Sequence, residues 1–123
     1  MSKSRFDKFF KSVRKVFGKN FLSEITDTYR EEPRGLFENK SRYVVKPTST
    51  KQVSDFMGLA TKYSIPVVPR GGGTGLVGGQ MSSNEDWIIM SLEKMDKIKS
   101  FSSLNQSVEV EAGVNLETLQ EFV

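Results

Sequence analysis

The feature that most constrains this chain is a glycine-rich stretch that follows a short apolar run. Six glycines fall between Gly71 and Gly79, directly after the β-like residues 65–68. Glycine loses more backbone entropy on folding than any other residue, so this density is typical of a backbone that turns tightly or approaches a ligand. Successive N–H groups in such a loop can converge on an anion, most commonly phosphate. The stretch therefore predicts a cradle for nucleotide phosphates; a flexible turn is the alternative.

The glycines do not fit either of the two common phosphate-binding motifs. Residues 73–78 satisfy G-x-G-x-x-G, but that motif needs a helix to begin inside it. Residues 79–84 have no apolar face at helical spacing, and the apolar run at 87–90 is typical of a strand. No Gly-Lys-Ser/Thr follows the glycines, so a P-loop is excluded. An extended loop between two strands remains, which would wrap a diphosphate with its own amides.

At this loop the sequence resembles a known family. Residues 69–80, PRGGGTGLVGGQ, are similar to the pyrophosphate loop of the FAD-linked oxidases of the vanillyl-alcohol oxidase superfamily. The closest likeness is to its D-2-hydroxyacid dehydrogenase branch, whose members oxidise D-lactate, D-2-hydroxyglutarate or glycolate. The likeness covers roughly residues 24–123. Its further motifs are Thr26-Asp27-x-Tyr29, Pro33-Arg34-Gly35, and the segments 44–53, 90–98 and 108–116.

The resemblance implies a fold and a cofactor. We expect an α+β chain that forms the N-terminal subdomain of a PCMH-type FAD-binding domain, with the domain incomplete. Its elements would be a βαβ unit, the glycine loop and further antiparallel-like strands. Residues 1–22 would form a basic amphipathic helix and residues 23–123 the truncated FAD-binding domain. The expected FAD-binding residues are Pro69, Arg70, Gly71, Gly72, Gly73, Thr74, Gly75, Leu76, Gly78, Gly79, Gln80 and Gly113.

Two of these positions carry open alternatives. Arg70 would contact phosphate or lie on the surface at a strand end. Gly113, in the pair Ala112-Gly113, would make a second close approach near the flavin or form a plain turn. Glu109 and Glu111 alternate along one predicted strand, which fits a solvated face better than a paired-carboxylate site because no histidine or partner base is near.

The resemblance also implies an activity for the complete enzyme, the oxidation of a D-2-hydroxyacid to a 2-oxoacid. In that family the acids, bases and metal ligands lie in parts that this chain lacks, so we expect no catalytic or metal-binding residue here and no activity from the chain alone. We expect the N-terminal piece of such an enzyme, and a second polypeptide supplying the missing domain is one possible partner. The alternative is a non-catalytic remnant or interaction module that presents its basic helix to anionic lipid or nucleic acid.

The chain contains neither cysteine nor histidine. Disulfides and thiol chemistry are therefore excluded, and a zinc site is strongly disfavoured. Some relatives tether their flavin through these residue types, so we expect FAD to be bound non-covalently here. The absence of cysteine fits a reducing compartment, and we expect a cytoplasmic location.

Residues 1–20 carry seven basic side chains and one acidic side chain, a net charge of +6, which leaves −3 for residues 21–123. Phe6, Phe9, Phe10, Val13, Val16 and Phe17 recur at helical spacing. This pattern favours a helix that docks on the domain and ends near Gly18. A peripheral membrane or targeting segment is the second interpretation; a nucleic-acid arm is the third, and we expect no nucleic acid partner.

The rest of the chain alternates between strand and helix patterns. Strands are predicted at 42–46, 65–68, 87–91, 98–101 and 108–111. A helix is predicted after a capping box of Ser49 and Gln52, with Val53, Phe56, Met57 and Ala60 on its apolar face. The strands on either side of it should be parallel. Asn115 is expected to cap a last helix whose apolar residues, Leu116, Leu119, Phe122 and Val123, have nothing to pack against.

Overall fold

The structure, a computed structural model, describes residues 3–25, 40–71 and 84–122. These residues form three helices and six strands. In chain order they are α1 Lys3–Phe17, β1 Leu22–Glu24, β2 Tyr43–Val45, α2 Thr50–Lys62, β3 Val67–Arg70, β4 Ile88–Ser91, β5 Ile98–Ser102, β6 Ser107–Val110 and α3 Leu116–Phe122.

A four-stranded sheet with the order β1-β2-β4-β3 forms the centre of the described structure. β2 and β3 are both parallel to β4, which confirms the predicted parallel βαβ arrangement. However, β4 lies between them, so the two strands of the unit are not neighbours. β1, which the sequence did not predict, pairs antiparallel with β2 at the edge.

The expectation that antiparallel strands follow the glycine loop was wrong for β4. All four of its residues are buried, as is typical of a central strand in a parallel sheet covered on both faces. Ile88 and Met90 point to the face that the helices cover, whereas Ile89 points to the other. Among the described strands that follow the loop, β5 and β6 are antiparallel to each other, and they form a separate two-stranded sheet.

Helix α1 packs on the central sheet through its apolar face, which confirms the docked interpretation. Phe9 and Val13 are fully buried in the core that includes Ile88. The Phe9 ring meets the Phe56 ring of α2 edge-on, with centroids 5.7 Å apart. The helix ends at Gly18, which adopts a φ of +92°, a conformation that glycine tolerates best. The predicted division of the chain at residue 22 remains a prediction, although α1 and the sheet share one core.

Helix α2 begins as the sequence predicts. The Ser49 hydroxyl accepts a hydrogen bond from the Gln52 backbone N–H at 3.2 Å. The return contact differs from a standard capping box, because the Gln52 side-chain oxygen accepts from the backbone N–H of Thr48 at 2.8 Å. This contact still satisfies one N–H before the first turn.

The apolar face of α2 is rotated slightly from the expected one. Phe56 and Ala60 are buried, whereas Met57, which was expected on the same apolar face, is 39% exposed. Leu59 and Tyr63 pack against the core instead. Together with Phe56 and Ala60 they follow the i, i+3, i+4, i+7 spacing of one helical face, and Met57 lies at its margin.

The β5–β6 hairpin and α3 expose apolar side chains, as the sequence predicts for α3. Phe101 is 54% exposed and Phe122 is 55% exposed, and their ring centroids lie 6.4 Å apart. Leu116 is 68% exposed.

The predicted cap of α3 is confirmed, because the Asn115 side-chain oxygen accepts from the backbone N–H of Glu117 at 2.8 Å. Within the described ranges, no helix has the length and apolar character needed to cross a membrane.

Candidate cofactor-binding site

The glycine loop starts at the carboxyl edge of the central sheet. β3 ends at Arg70 and its parallel neighbour β4 ends at Ser91, and these two residues are register partners. The backbone N–H of Leu92 donates to the carbonyl oxygen of Arg70 at 2.9 Å, which holds the two strand ends together. In open sheets of this kind, ligands bind in the crevice outside the carboxyl ends of parallel strands.

A cavity of about 490 Å³ lies at this edge. Its lining residues are Gly71, Glu93, Ala112, Gly113, Val114, Asn115 and Leu116. The cavity therefore brings Gly71, the first glycine of the loop, together with Gly113 from the turn after β6. Both were predicted to contact the cofactor. The predicted positions Gly72, Gly73, Thr74, Gly75, Leu76, Gly78, Gly79 and Gln80 lie outside the described residues.

Gly71 faces open space. A Cβ atom built at this position would meet no atom of the described structure within 4 Å. The backbone of Gly71 is thus accessible from the cavity, and a side chain placed there would extend into space that a ligand could use.

Gly113 has a different environment. A Cβ atom there would lie 1.8 Å from the carbonyl oxygen of Leu92 and 2.8 Å from that of Met95. The backbone N–H of Gly113 donates to the Met95 carbonyl oxygen at 2.8 Å. The close approach at Gly113 is thus made to the protein's own backbone, in the connection from β4 to β5. Of the two alternatives left open for this residue, the structure shows the turn, in which the backbone N–H of Val114 donates to the carbonyl oxygen of Glu111 at 3.1 Å. The sequence carries no signal for the packing of this turn on Leu92.

Arg70 is buried, with an exposed fraction of 7%, so the interpretation as a surface arginine was wrong. Its neighbours Pro69 and Gly71 are exposed. A guanidinium group keeps its positive charge at any pH that a folded protein tolerates. The structure thus buries a charged residue at the end of β3, immediately before the first residue of the glycine loop.

Glu93 places a carboxylate in the lining of the cavity. Its Oε1 atom accepts from the hydroxyl of Ser91, a residue 1% exposed, at 3.0 Å. The same oxygen lies 3.5 Å from the Lys46 ammonium. Because Lys46 offsets the negative charge, the lining stays compatible with an anionic ligand. The carboxylate itself can accept hydrogen bonds from hydroxyl or amino groups.

The two glutamates near the end of β6 have different surroundings. Glu109 is exposed on β6, as expected for a solvated face. Glu111 accepts a hydrogen bond from the backbone N–H of Lys97 at 2.9 Å and so ties the end of β6 to the start of β5. In the parts of the chain that the structure describes, no group of three or more acidic residues is placed to hold a metal ion.

A largely parallel sheet with a glycine loop that starts at its carboxyl edge is typical of domains that bind nucleotides. Comparison with known proteins identifies the family. The family model described as FAD binding domain matches residues 41–123. The chain belongs to this family. Its fold is that of a PCMH-type FAD-binding domain, of which it covers part.

Two curated relatives illustrate the likeness in sequence. A probable mitochondrial D-2-hydroxyglutarate dehydrogenase from Oryza sativa subsp. indica is 38% identical over 89 residues, 72% of this chain and 16% of the relative. A D-lactate dehydrogenase from Archaeoglobus fulgidus is 41% identical over 78 residues, 63% of this chain and 17% of the relative. The chain thus spans about a sixth of the length of these relatives.

The structural likeness extends over the whole chain. The 4-ethylphenol oxidase from Gulosibacter chungangensis superposes with a TM-score of 0.83 at 22% identity, covering 100% of this chain and 25% of the oxidase. At this identity the likeness shows a shared fold only.

Proposed function

We propose that this chain holds FAD non-covalently within a flavin-dependent dehydrogenase that oxidises a D-2-hydroxyacid to a 2-oxoacid. One structural observation carries the proposal: the cavity at the carboxyl edge of β3 and β4 joins the start of the glycine loop to the Gly113 turn. The substrate class is supported by the relatives that match over most of this chain, which are named for D-2-hydroxyglutarate and D-lactate.

The residues around the cavity fit part of a dinucleotide. A volume of about 490 Å³ falls within the range of ordinary ligand sites, roughly 300–1,000 Å³. Gly71 leaves its backbone accessible, and Lys46 offsets the carboxylate of Glu93. An anionic diphosphate is therefore compatible with this edge.

The glycine loop would supply most of the contacts to the cofactor. Pro69 would fix the direction in which the chain leaves β3, since its ring restricts φ. The backbone amides of Gly71, Gly72, Gly73 and Gly75 and the hydroxyl of Thr74 would donate to the pyrophosphate, and Leu76, Gly78, Gly79 and Gln80 would complete the wrap.

In this proposal the chain binds and orients the cofactor and does not move protons. FAD, when bound, supplies the hydride acceptor, and the protein contributes position and electrostatics. The chain has no histidine, and Glu93, the carboxylate in the lining, is engaged by Ser91 and Lys46. The base that activates the hydroxyacid would therefore come from outside the described lining of this cavity.

Further protein would complete the domain. The exposed side chains of Phe101, Leu116 and Phe122 offer an apolar surface that additional polypeptide could cover, either as a continuation or as a second chain. We place the protein in the cytoplasm, because a chain without cysteine fits a reducing compartment.

A pair of matched variants tests the proposal. Gly71→Leu puts a side chain into the cavity, and Gly58→Leu puts the same side chain on the exposed face of α2, where a Cβ also meets nothing within 4 Å. We expect the purified Gly71→Leu protein to retain less FAD than wild type, as measured by its visible absorbance, with an unchanged melting temperature. Gly58→Leu should leave the flavin content unchanged. Equal FAD affinity in both variants would overturn the assignment of the cavity, and wild-type protein that binds no FAD would favour the non-catalytic alternative.

A further inference from the structure

One face of α1 has no role in the fold. The burial of Phe9 and Val13 fixes the orientation of the helix, so Lys8, Lys11 and Lys15 point to solvent. Their i, i+3, i+7 spacing aligns them along the helix. We call Lys8, Lys11, Arg14 and Lys15, together with Lys19 just after the end of the helix, the α1 basic face; all five are exposed.

Asp7 lies one helical turn before Lys11 on this exposed surface, but it forms no ion pair with the described lysines of the face. Among the described residues, no carboxylate lies within ion-pair distance of Lys8, Lys11, Lys15 or Lys19; the ion pairs observed there involve Arg42, Lys46 and Lys51. The first 20 residues carry a net charge of +6 and the remainder carries −3. The protein thus has an electrostatic polarity, with α1 at its positive side.

We propose that the α1 basic face docks the protein on an anionic lipid surface. Lys8, Lys11 and Lys15 span about 10 Å of the helix at ~1.5 Å per residue, and they form a row that a flat surface can contact together. Clusters of this size on one helix are attracted by the surface potential of anionic membranes. The acidic remainder of the chain is repelled by the same potential, which orients α1 toward the lipid.

The composition of the face favours lipid over nucleic acid. Nucleic-acid surfaces rely on arginine, which pairs with phosphate through two hydrogen bonds, and on exposed aromatic rings that stack on bases. Here four of the five charges are lysines, and the guanidinium of Arg14 lies 5.6 Å from the Phe10 ring centroid. Along the described part of α1 the phenylalanine rings are at least partly buried.

Vesicle binding by the purified protein tests this inference independently of flavin binding. The probes are vesicles of phosphatidylcholine alone and of phosphatidylcholine with phosphatidylserine, measured by co-sedimentation. We expect binding to the serine-containing vesicles only, and a loss of binding as salt is raised. The variant Lys11→Glu/Lys15→Glu should weaken binding by at least about 25-fold, at roughly fivefold for each lysine near the surface.

The matched control is Lys97→Glu/Lys99→Glu, which makes the same charge change at two exposed lysines on the β5 side of the chain. It should keep vesicle affinity within a few-fold of wild type. The inference is overturned if both double variants lose binding equally, since only net charge would then matter, or if wild type shows no preference for anionic vesicles. It is also overturned if wild type binds duplex DNA or RNA and not the vesicles. Because the salt and lipid dependence of wild type is measured without any variant, a misfolded variant does not remove the test.

Discussion

The replacement of Gly113 by alanine should damage the fold, although alanine adds only one methyl group. The added Cβ atom would be placed 1.8 Å from the Leu92 carbonyl oxygen and 2.8 Å from both the Leu92 carbonyl carbon and the Met95 carbonyl oxygen. All three neighbours are backbone atoms, so no side chain can rotate away. Either the turn that contains residue 113 or the connection from β4 to β5 must move.

The cost has two parts. Inserting atoms into a filled space costs about 1–3 kcal/mol when the backbone has to shift. The shift would also weaken the 2.8 Å hydrogen bond from the Gly113 N–H to Met95, which is worth about 1 kcal/mol. We therefore expect Gly113→Ala to lower the free energy of unfolding by roughly 2–4 kcal/mol. For a chain of this size, this corresponds to a fall in melting temperature on the order of 10 °C.

Thermal and urea unfolding, followed by circular dichroism, would measure the effect. Gly58→Ala is the control, because it adds the same methyl group inside α2 where nothing lies within 4 Å. There alanine should raise stability by about 0.5–1 kcal/mol, as glycine is a poor residue in a helix interior. If Gly113→Ala unfolds at the wild-type temperature, the close packing of this turn on Leu92 is wrong.

Three further predictions concern the proposed cofactor. Gly73→Val, within the glycine loop, should abolish flavin retention, because a side chain would block the approach of the pyrophosphate. The far-UV circular dichroism spectrum of this variant should stay nearly native. Full FAD occupancy in the variant would refute the role of Gly73. Flavin bound by this chain should be released by acid or heat denaturation, since no histidine or cysteine is present to tether it; yellow colour that remains with the precipitated polypeptide would contradict this. The 123 residues alone, with FAD added, should not reduce a dye acceptor with D-lactate, D-2-hydroxyglutarate or glycolate; sustained turnover by monodisperse protein would show that the chain carries its own base.

Local patterns predicted the helices and most strands. The position of α2 and the Ser49 cap follow from side-chain chemistry within a few residues, and the docking of α1 follows from one continuous apolar face. These features depend on neighbours in sequence. Strand β1 was missed because it has only three residues and buries one of them, Leu22, which is too little to produce an alternating pattern.

The order of the strands in the sheet and the surroundings of Arg70 could not be predicted from local sequence patterns. The periodicity of 87–91 identified a strand but not its place between β2 and β3, although the unbroken apolar run Ile88-Ile89-Met90 is itself typical of a central parallel strand. Similarly, a charged residue at a strand end, such as Arg70, is usually exposed, and its burial depends on elements distant in sequence. Pairing order and the surroundings of a charge therefore required the tertiary structure.

Gly71 and Gly113 have different surroundings that the sequence could not distinguish. Gly71 and Gly113 were both predicted to approach the flavin, and both line the same cavity, but they differ in what a side chain would meet. At Gly113 it would meet the carbonyl oxygen of Leu92, so this glycine positions one wall of the cavity by packing on the connection from β4 to β5. At Gly71 it would meet open space, so this position is constrained by whatever occupies the cavity and not by the fold. Gly113→Ala should therefore lower stability without a direct steric effect on the ligand, whereas Gly71→Leu should lower flavin binding without lowering stability. Together these results would show that Gly113 shapes the cavity through the fold and that Gly71 borders the ligand itself.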